Sequence, residues 1–230
     1  MSRYASFMMA VGGLVLAGIL VTSGCASPPE EEPVPLPEKL TTKSEHKEKM
    51  MTGLAEVQAG LAALKQKTDS NMAALKDLVQ PPHENMKASY EAYCKAMDDL
   101  DADYANLLKV GDETNLQAAA FFKMWDQELA GITNPDLKED SEERKAKIEI
   151  EYKRIQQGQD ANKKAYDELQ KVLRDIKRYL SVDLSPDSLE GIDSFVKKAG
   201  AEAETISERT DIALKDIANL TTYMSSAAPR

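Results

Sequence analysis

Residues 186–224 read PDSLEGIDSFVKKAGAEAETISERTDIALKDIANLTTYM. Leu189, Ile192, Val196, Ala199, Ala203, Ile206, Thr210, Ala213, Ile217, Leu220 and Met224 follow one another at steps of three or four residues. A 3.6-residue helix places such positions on one face, and a stripe this long needs partner helices to cover it. Ser185-Pro186 supplies a cap followed by a proline at the first helical position, where its missing amide costs nothing. The spacing predicts one helix over 186–224.

The same pattern runs upstream. Ile148, Tyr152, Ile155, Gln159, Asn162, Tyr166, Leu169, Leu173, Ile176 and Leu180 form a seam over 135–181, started by Asn134-Pro135. Met86, Tyr90, Tyr93, Met97, Leu100, Tyr104 and Leu107, continuing through Gly111 and Thr114 to Ala118, Phe121 and Trp125, form another over 82–132. Leu54, Val57, Leu61, Leu64, Thr68 and Leu75 form a fourth over 42–80, with Thr42 and Glu45 as a capping box and Pro81-Pro82 as its stop. Short connections make sequential helices antiparallel. The expected fold is all-α: an elongated, antiparallel up-down bundle of three to four long, coiled-coil-like helices over 42–224.

Charge fits this order. Residues 82–132 carry 4 basic and 10 acidic side chains, residues 137–181 carry 12 and 10, and residues 183–224 carry 4 and 9. The third helix, net basic, is expected between two acidic ones. Each exposed pair adds at most about 1 kcal/mol, so the apolar seams hold the bundle.

Folding the chain back on itself gives registers. With a turn centred near residue 135, Gln159 falls level with Gly111. With the next turn centred near 183, Asn162 falls level with Thr205. Gly111, Gln159, Asn162, Thr205 and Thr210 are therefore expected to form one polar, weakly packed layer at mid-length. Phe121, Phe122 and Trp125 are expected beside Ile148 and Leu220 in an apolar layer near one end.

The first forty residues are of another kind. A positive start containing Arg3 precedes the uncharged run FMMAVGGLVLAGILV, residues 7–21. That run is short for a membrane span, which needs about 20 apolar residues, and reads as a signal peptide over 1–24. Thr22-Ser23-Gly24-Cys25 resembles the bacterial lipobox, with Thr standing where Leu is usual. The resemblance implies lipidation of Cys25 and cleavage before it. Several acyl chains on one residue hold a protein stably on a bilayer. Ala26, in place of the Asp that retains such proteins in the inner membrane, implies the periplasmic face of the outer membrane. Prolines 28, 29, 33, 35 and 37 preclude helix or sheet, so residues 25–41 are expected to be a tether and 225–230 a disordered tail.

Phe121-Phe122-Lys123-Met124-Trp125-Asp126-Gln127-Glu128-Leu129, then Ser141 and Arg144, then Tyr152-Lys153-Arg154-Ile155, resemble the pattern of domain-of-unknown-function family 2959. That family comprises proteobacterial, lipobox-bearing, helical proteins. The match covers roughly residues 84–222 and implies no catalytic residues.

Little in the sequence points to a reaction. Asp99, Asp101 and Asp103 imitate a calcium loop, but Tyr104 and Val110 stand where Gly and Glu belong. His46 and His83, the two histidines, belong to no metal motif. Cys94 reads as a partly buried thiol, and Trp125 as a core aromatic. No metal, cofactor or enzymatic activity is expected. A net charge of −10 argues against nucleic-acid binding. The expected partners are the membrane, through lipidated Cys25, and an envelope protein met by the bundle; self-association stays open. The sequence thus points to a non-enzymatic interaction or structural scaffold of the cell envelope. The alternative is a lipid or small-molecule binder that uses the polar layer.

Overall fold

The proline run ends at residue 37, and helix begins at the next residue. In the computed structural model, which describes residues 38–82 and 84–226, α1 spans Glu38–Val79. The expected start at residue 42 is thus four residues late. After Pro37 nothing in the sequence blocks the helix, and Glu38 suits the positive end of its dipole. Thr42 consequently lies inside α1 and caps nothing. The expected signal peptide, Cys25, most of the tether, His83 and residues 227–230 lie outside the described residues.

The second helix, α2 (Met86–Leu129), starts at Asn85, whose side chain accepts the Ala88 amide, rather than at Pro82. The third, α3 (Pro135–Val182), starts as expected at Asn134, which caps the Leu137 amide at 3.1 Å. At 48 residues it is about 72 Å long. The expected last helix is divided. A six-residue α4 (Pro186–Gly191), capped by Ser185, is followed by a break at Ile192 and then by α5 (Asp193–Ser226). Gly191 weakens the helix at the break. Leu189 and Ile192 are both buried there, so the chain turns to bring both inward. Ser225 and Ser226, expected in the tail, complete α5.

The four long helices form a closed ring in the order α1, α2, α3, α5, with α4 packed against α1 and α5 at one end. There is no strand among the described residues. The basic α3 does lie between the acidic α2 and α5. Three ion pairs cross from α2: Asp98–Lys177 at 3.3 Å, Asp101–Arg174 at 3.2 Å and Asp126–Lys145 at 2.9 Å.

The sides of the ring differ, and the sequence explains why. The backbones of α1 and α2 run close together along their length. Gly53 faces Thr114 and Gly60 faces Leu107, and an added Cβ at either glycine would collide with its neighbour. The backbones of α3 and α5 are also close, with Gly158 opposite Ala213 and with Ala165, Ala199 and Ala203 buried. Few Cα atoms of α2 and α3, by contrast, come within 8 Å of each other. There the gap is spanned by large side chains. The hydroxyls of Tyr90 and Tyr93 donate to the carbonyls of Lys177 and Leu173 at 2.8 and 2.7 Å. Tyr104 and Tyr166 stack with centroids 3.5 Å apart. Tyr152 donates to Asn115 at 2.7 Å and meets Phe122 edge-on. The molecule is two helical hairpins, α1/α2 and α3–α5, joined through one small-residue seam within each and an aromatic, hydrogen-bonded face between α2 and α3.

Candidate functional site

The α2/α3 register follows from the turn at residues 130–134. Tyr93 meets Leu173, Tyr104 meets Tyr166, and Asn115 meets Gln156, each pair nearly equidistant from residue 135. At mid-length this places Gly111 opposite Gln159, whose amide nitrogen lies 3.7 Å from where a Cβ on Gly111 would stand. Leu107, one turn earlier on α2, packs against Gly60 of α1. With Leu107 engaged there and no side chain on Gly111, the α2/α3 face is left unfilled at this level.

The result is a cavity of about 170 Å³. Val57 and Leu61 of α1, with Leu107, Leu108 and Gly111 of α2, line it with hydrocarbon and backbone. Tyr104, Gln159 and Asn162 bring polar groups to it. Asp112, Asp160 and Lys163 stand at its exposed rim. Asn162 is 3 % exposed, and neither its carbonyl oxygen nor its amide nitrogen has a hydrogen-bond partner. The buried Tyr104 hydroxyl is also without a partner. Burial, and secondarily the Asp167 charge, push the Tyr104 phenol well above the usual tyrosine range. Leaving such groups unpaired costs about 1–3 kcal/mol each, so three orphan atoms around one cavity call for an occupant. A second depression of about 180 Å³, lined by Ala119, Phe122, Tyr152 and Gln156, shares Asn115 with the first.

Two other residues expected in this layer divide. Thr210 is wholly buried with an unpartnered hydroxyl, near the level of Asn162, because Arg209 donates to the Ala161 carbonyl at 2.7 Å. Thr205 does not join it. That residue is half-exposed, and its hydroxyl bonds the Ala201 carbonyl of its own helix. The expected turn centre near 183 was off by about two residues. Gly158 opposite Ala213, Ala161 opposite Arg209 and Tyr179 beside Gly191 are equidistant from about residue 185. The extra length is α4 and its break, which moves α5 by about one turn against α3 and brings Thr210 where Thr205 was expected.

A second polar stratum escaped sequence reading. Thr68, Asn71 and Gln170 are buried with unpartnered atoms, and Gln170 also donates to the Tyr166 hydroxyl at 2.9 Å. Tyr166 in turn donates to Asp101 at 2.7 Å, and Arg174 meets the other oxygen of that carboxylate. Thr68 had been counted as an ordinary seam position, and the slip near Met72 hid Asn71.

The remaining candidates are engaged in structure. Asp99 pairs with Lys95, Asp101 with Tyr166 and Arg174, and Asp103 with Lys67, all on one continuous helix. No group of three or more His, Cys, Asp or Glu side chains suited to a metal is found among the described residues. Cys94 is a half-buried free thiol. Trp125 is half-buried rather than fully in the core: it meets Phe121 edge-on at 5.4 Å, and its Nε1 donates to Ser141 at 2.9 Å. No described helix is long and apolar enough to cross a membrane.

Trp125 and Ser141 belong to the sequence pattern quoted above, and the structure joins them across the α2/α3 turn. No curated protein matches the chain. No solved structure matches it either. The family model described as "Protein of unknown function (DUF2959)" matches residues 38–223, the whole helical bundle, and the chain therefore belongs to that family.

Proposed function

We propose that the protein is a lipid-anchored scaffold of the bacterial cell envelope, held at the outer membrane through Cys25 and presenting its helical bundle to other envelope proteins without catalysing a reaction. The observation that carries this reading is the order of the chain. An apolar run of signal-peptide length, a lipobox-like Thr-Ser-Gly-Cys and a proline-rich stretch come directly before a bundle whose ionisable groups are spent on structural pairing. Leu116, Ile150, Val182 and Phe195 leave apolar side chains on its surface for contact.

The test is crosslinking in intact cells expressing the full chain, with photoreactive residues at Leu116, Ile150, Val182 and Phe195. Discrete higher-mass species in the membrane fraction are expected, and Cys25→Ser should abolish both membrane retention and crosslinks. A Cys25→Ser chain that is still cut at the same bond and stays in the membrane without detergent overturns the anchor. A wild-type chain that crosslinks to nothing overturns the scaffold. A second reading, in which the bundle holds a lipid or small molecule, is favoured by the unpartnered Asn162 and Tyr104 in the mid-length cavity.

A further inference from the structure

The cavity between α2 and α3 combines features that select a ligand class. Its hydrocarbon wall of Val57, Leu61 and Leu107 does not reward water. Its polar groups, Asn162 and the Tyr104 hydroxyl, are neutral, and the charged side chains Asp112, Asp160 and Lys163 stay on the exposed rim. A charged ligand would lose hydration inside with no counter-charge to meet it. A purely apolar one would leave the Asn162 amide unpaired. That amide presents a donor and an acceptor side by side, and its complement is another donor and acceptor side by side. In size the cavity is close to those that take one benzene ring.

We propose that this cavity binds a small, neutral molecule whose flat apolar body carries a carboxamide-type donor–acceptor edge. The edge pairs with Asn162, the Tyr104 hydroxyl takes up a further hydrogen bond, and the body lies against Val57, Leu61 and Leu107 in the space opened by Gly111. The assignment sharpens the ligand-binding reading and is independent of the anchor, since no residue outside the bundle takes part.

Benzamide is the simplest probe, with toluene and benzoate as its apolar and charged counterparts. Each is titrated calorimetrically into the full chain in one detergent, and amide hydrogen exchange locates the site. Benzamide should bind about tenfold or more tightly than either counterpart, the loss expected when a buried amide is left unpaired. It should slow exchange at residues 108–115 and 159–163. Asn162→Leu should reverse the preference of benzamide over toluene. Gly111→Leu, which keeps Asn162 and fills the space from a helix-favouring residue, should abolish binding of both. If wild type binds none of the probes, the cavity holds water alone and the proposal fails. It fails equally if the three probes bind alike, if protection appears elsewhere, or if Gly111→Leu leaves binding unchanged. The last three outcomes need no variant at Asn162, so poor folding of Asn162→Leu would not shield the proposal.

Discussion

Three glycines separate the roles a missing Cβ can play. At Gly53 an added Cβ would stand 2.5 Å from the Thr114 Oγ1, and Thr114 cannot swing aside freely, being β-branched and bonded to the Val110 carbonyl at 2.7 Å. Gly53→Ala should therefore cost about 1–3 kcal/mol by forcing α1 and α2 apart. At Gly111 the nearest atom is 3.7 Å away, and at Gly200 nothing lies within 4 Å. Alanine at either should raise stability by about 1 kcal/mol, the helix-propensity difference. Urea midpoints of the three variants check the order; a stabilising Gly53→Ala would mean the α1/α2 seam is not set by small residues. From the sequence Gly111 was legible as a gap because it sits on a seam otherwise filled by large residues. Gly53 and Gly60 were not, since they lie off the seam positions, and only the partner helix shows what they make room for. Thr205 misled for a related reason: one residue's level depends on every residue in the intervening turn.

Among elements, α2 and α3 are set apart by tyrosine. Burial above all pushes the phenols of Tyr93, Tyr104, Tyr152 and Tyr166 well above their usual range and that of Tyr90 up to about 12. The Asp101 carboxylate adds to this at Tyr166, and Cys94 at Tyr90. The folded state thus favours the neutral phenol, whereas an unfolded tyrosine ionises near about pH 10. The stability this contributes is complete below about pH 10 and falls as pH rises above it. Urea midpoints should be the same at about pH 7 and pH 9 and clearly lower near pH 11, and Tyr93→Phe with Tyr166→Phe should shrink that drop. The existence and type of the long helices were legible, because their stripes run for ten turns or more. The start of α1 and the break at Ile192 were not. A capping box inside a helix looks the same as one at its start, and Leu189 and Ile192 keep a helical spacing even where the backbone turns. The spacing of the sides was hidden too: a tyrosine on a seam reads as buried whether it fills a tight interface or props open a wide one.

At the scale of the whole molecule, the family model and the folded bundle cover nearly the same residues, so the helices form the unit that the family shares. The ring order was partly legible through charge, which put α3 between α2 and α5, but the unequal sides came from shape. Each hairpin carries its own tight seam, and the two meet through α1/α5 and the aromatic α2/α3 face. Only the five residues 130–134 oblige those two hairpins to belong to one chain. A hairpin pair supplied by two chains would present the same surfaces to each other, which makes this short connection the switch between a closed monomer and an exchanged dimer. Deleting residues 131–133 should leave α3 unable to fold back on its own α2. The shortened chain should then sediment as a dimer with undiminished helix content, whereas a helical monomer would show that the hairpins can close over a shorter link. The cavity travels with this choice. Because α2 and α3 form its walls from opposite hairpins, an exchanged dimer would hold two such chambers, each built from both chains.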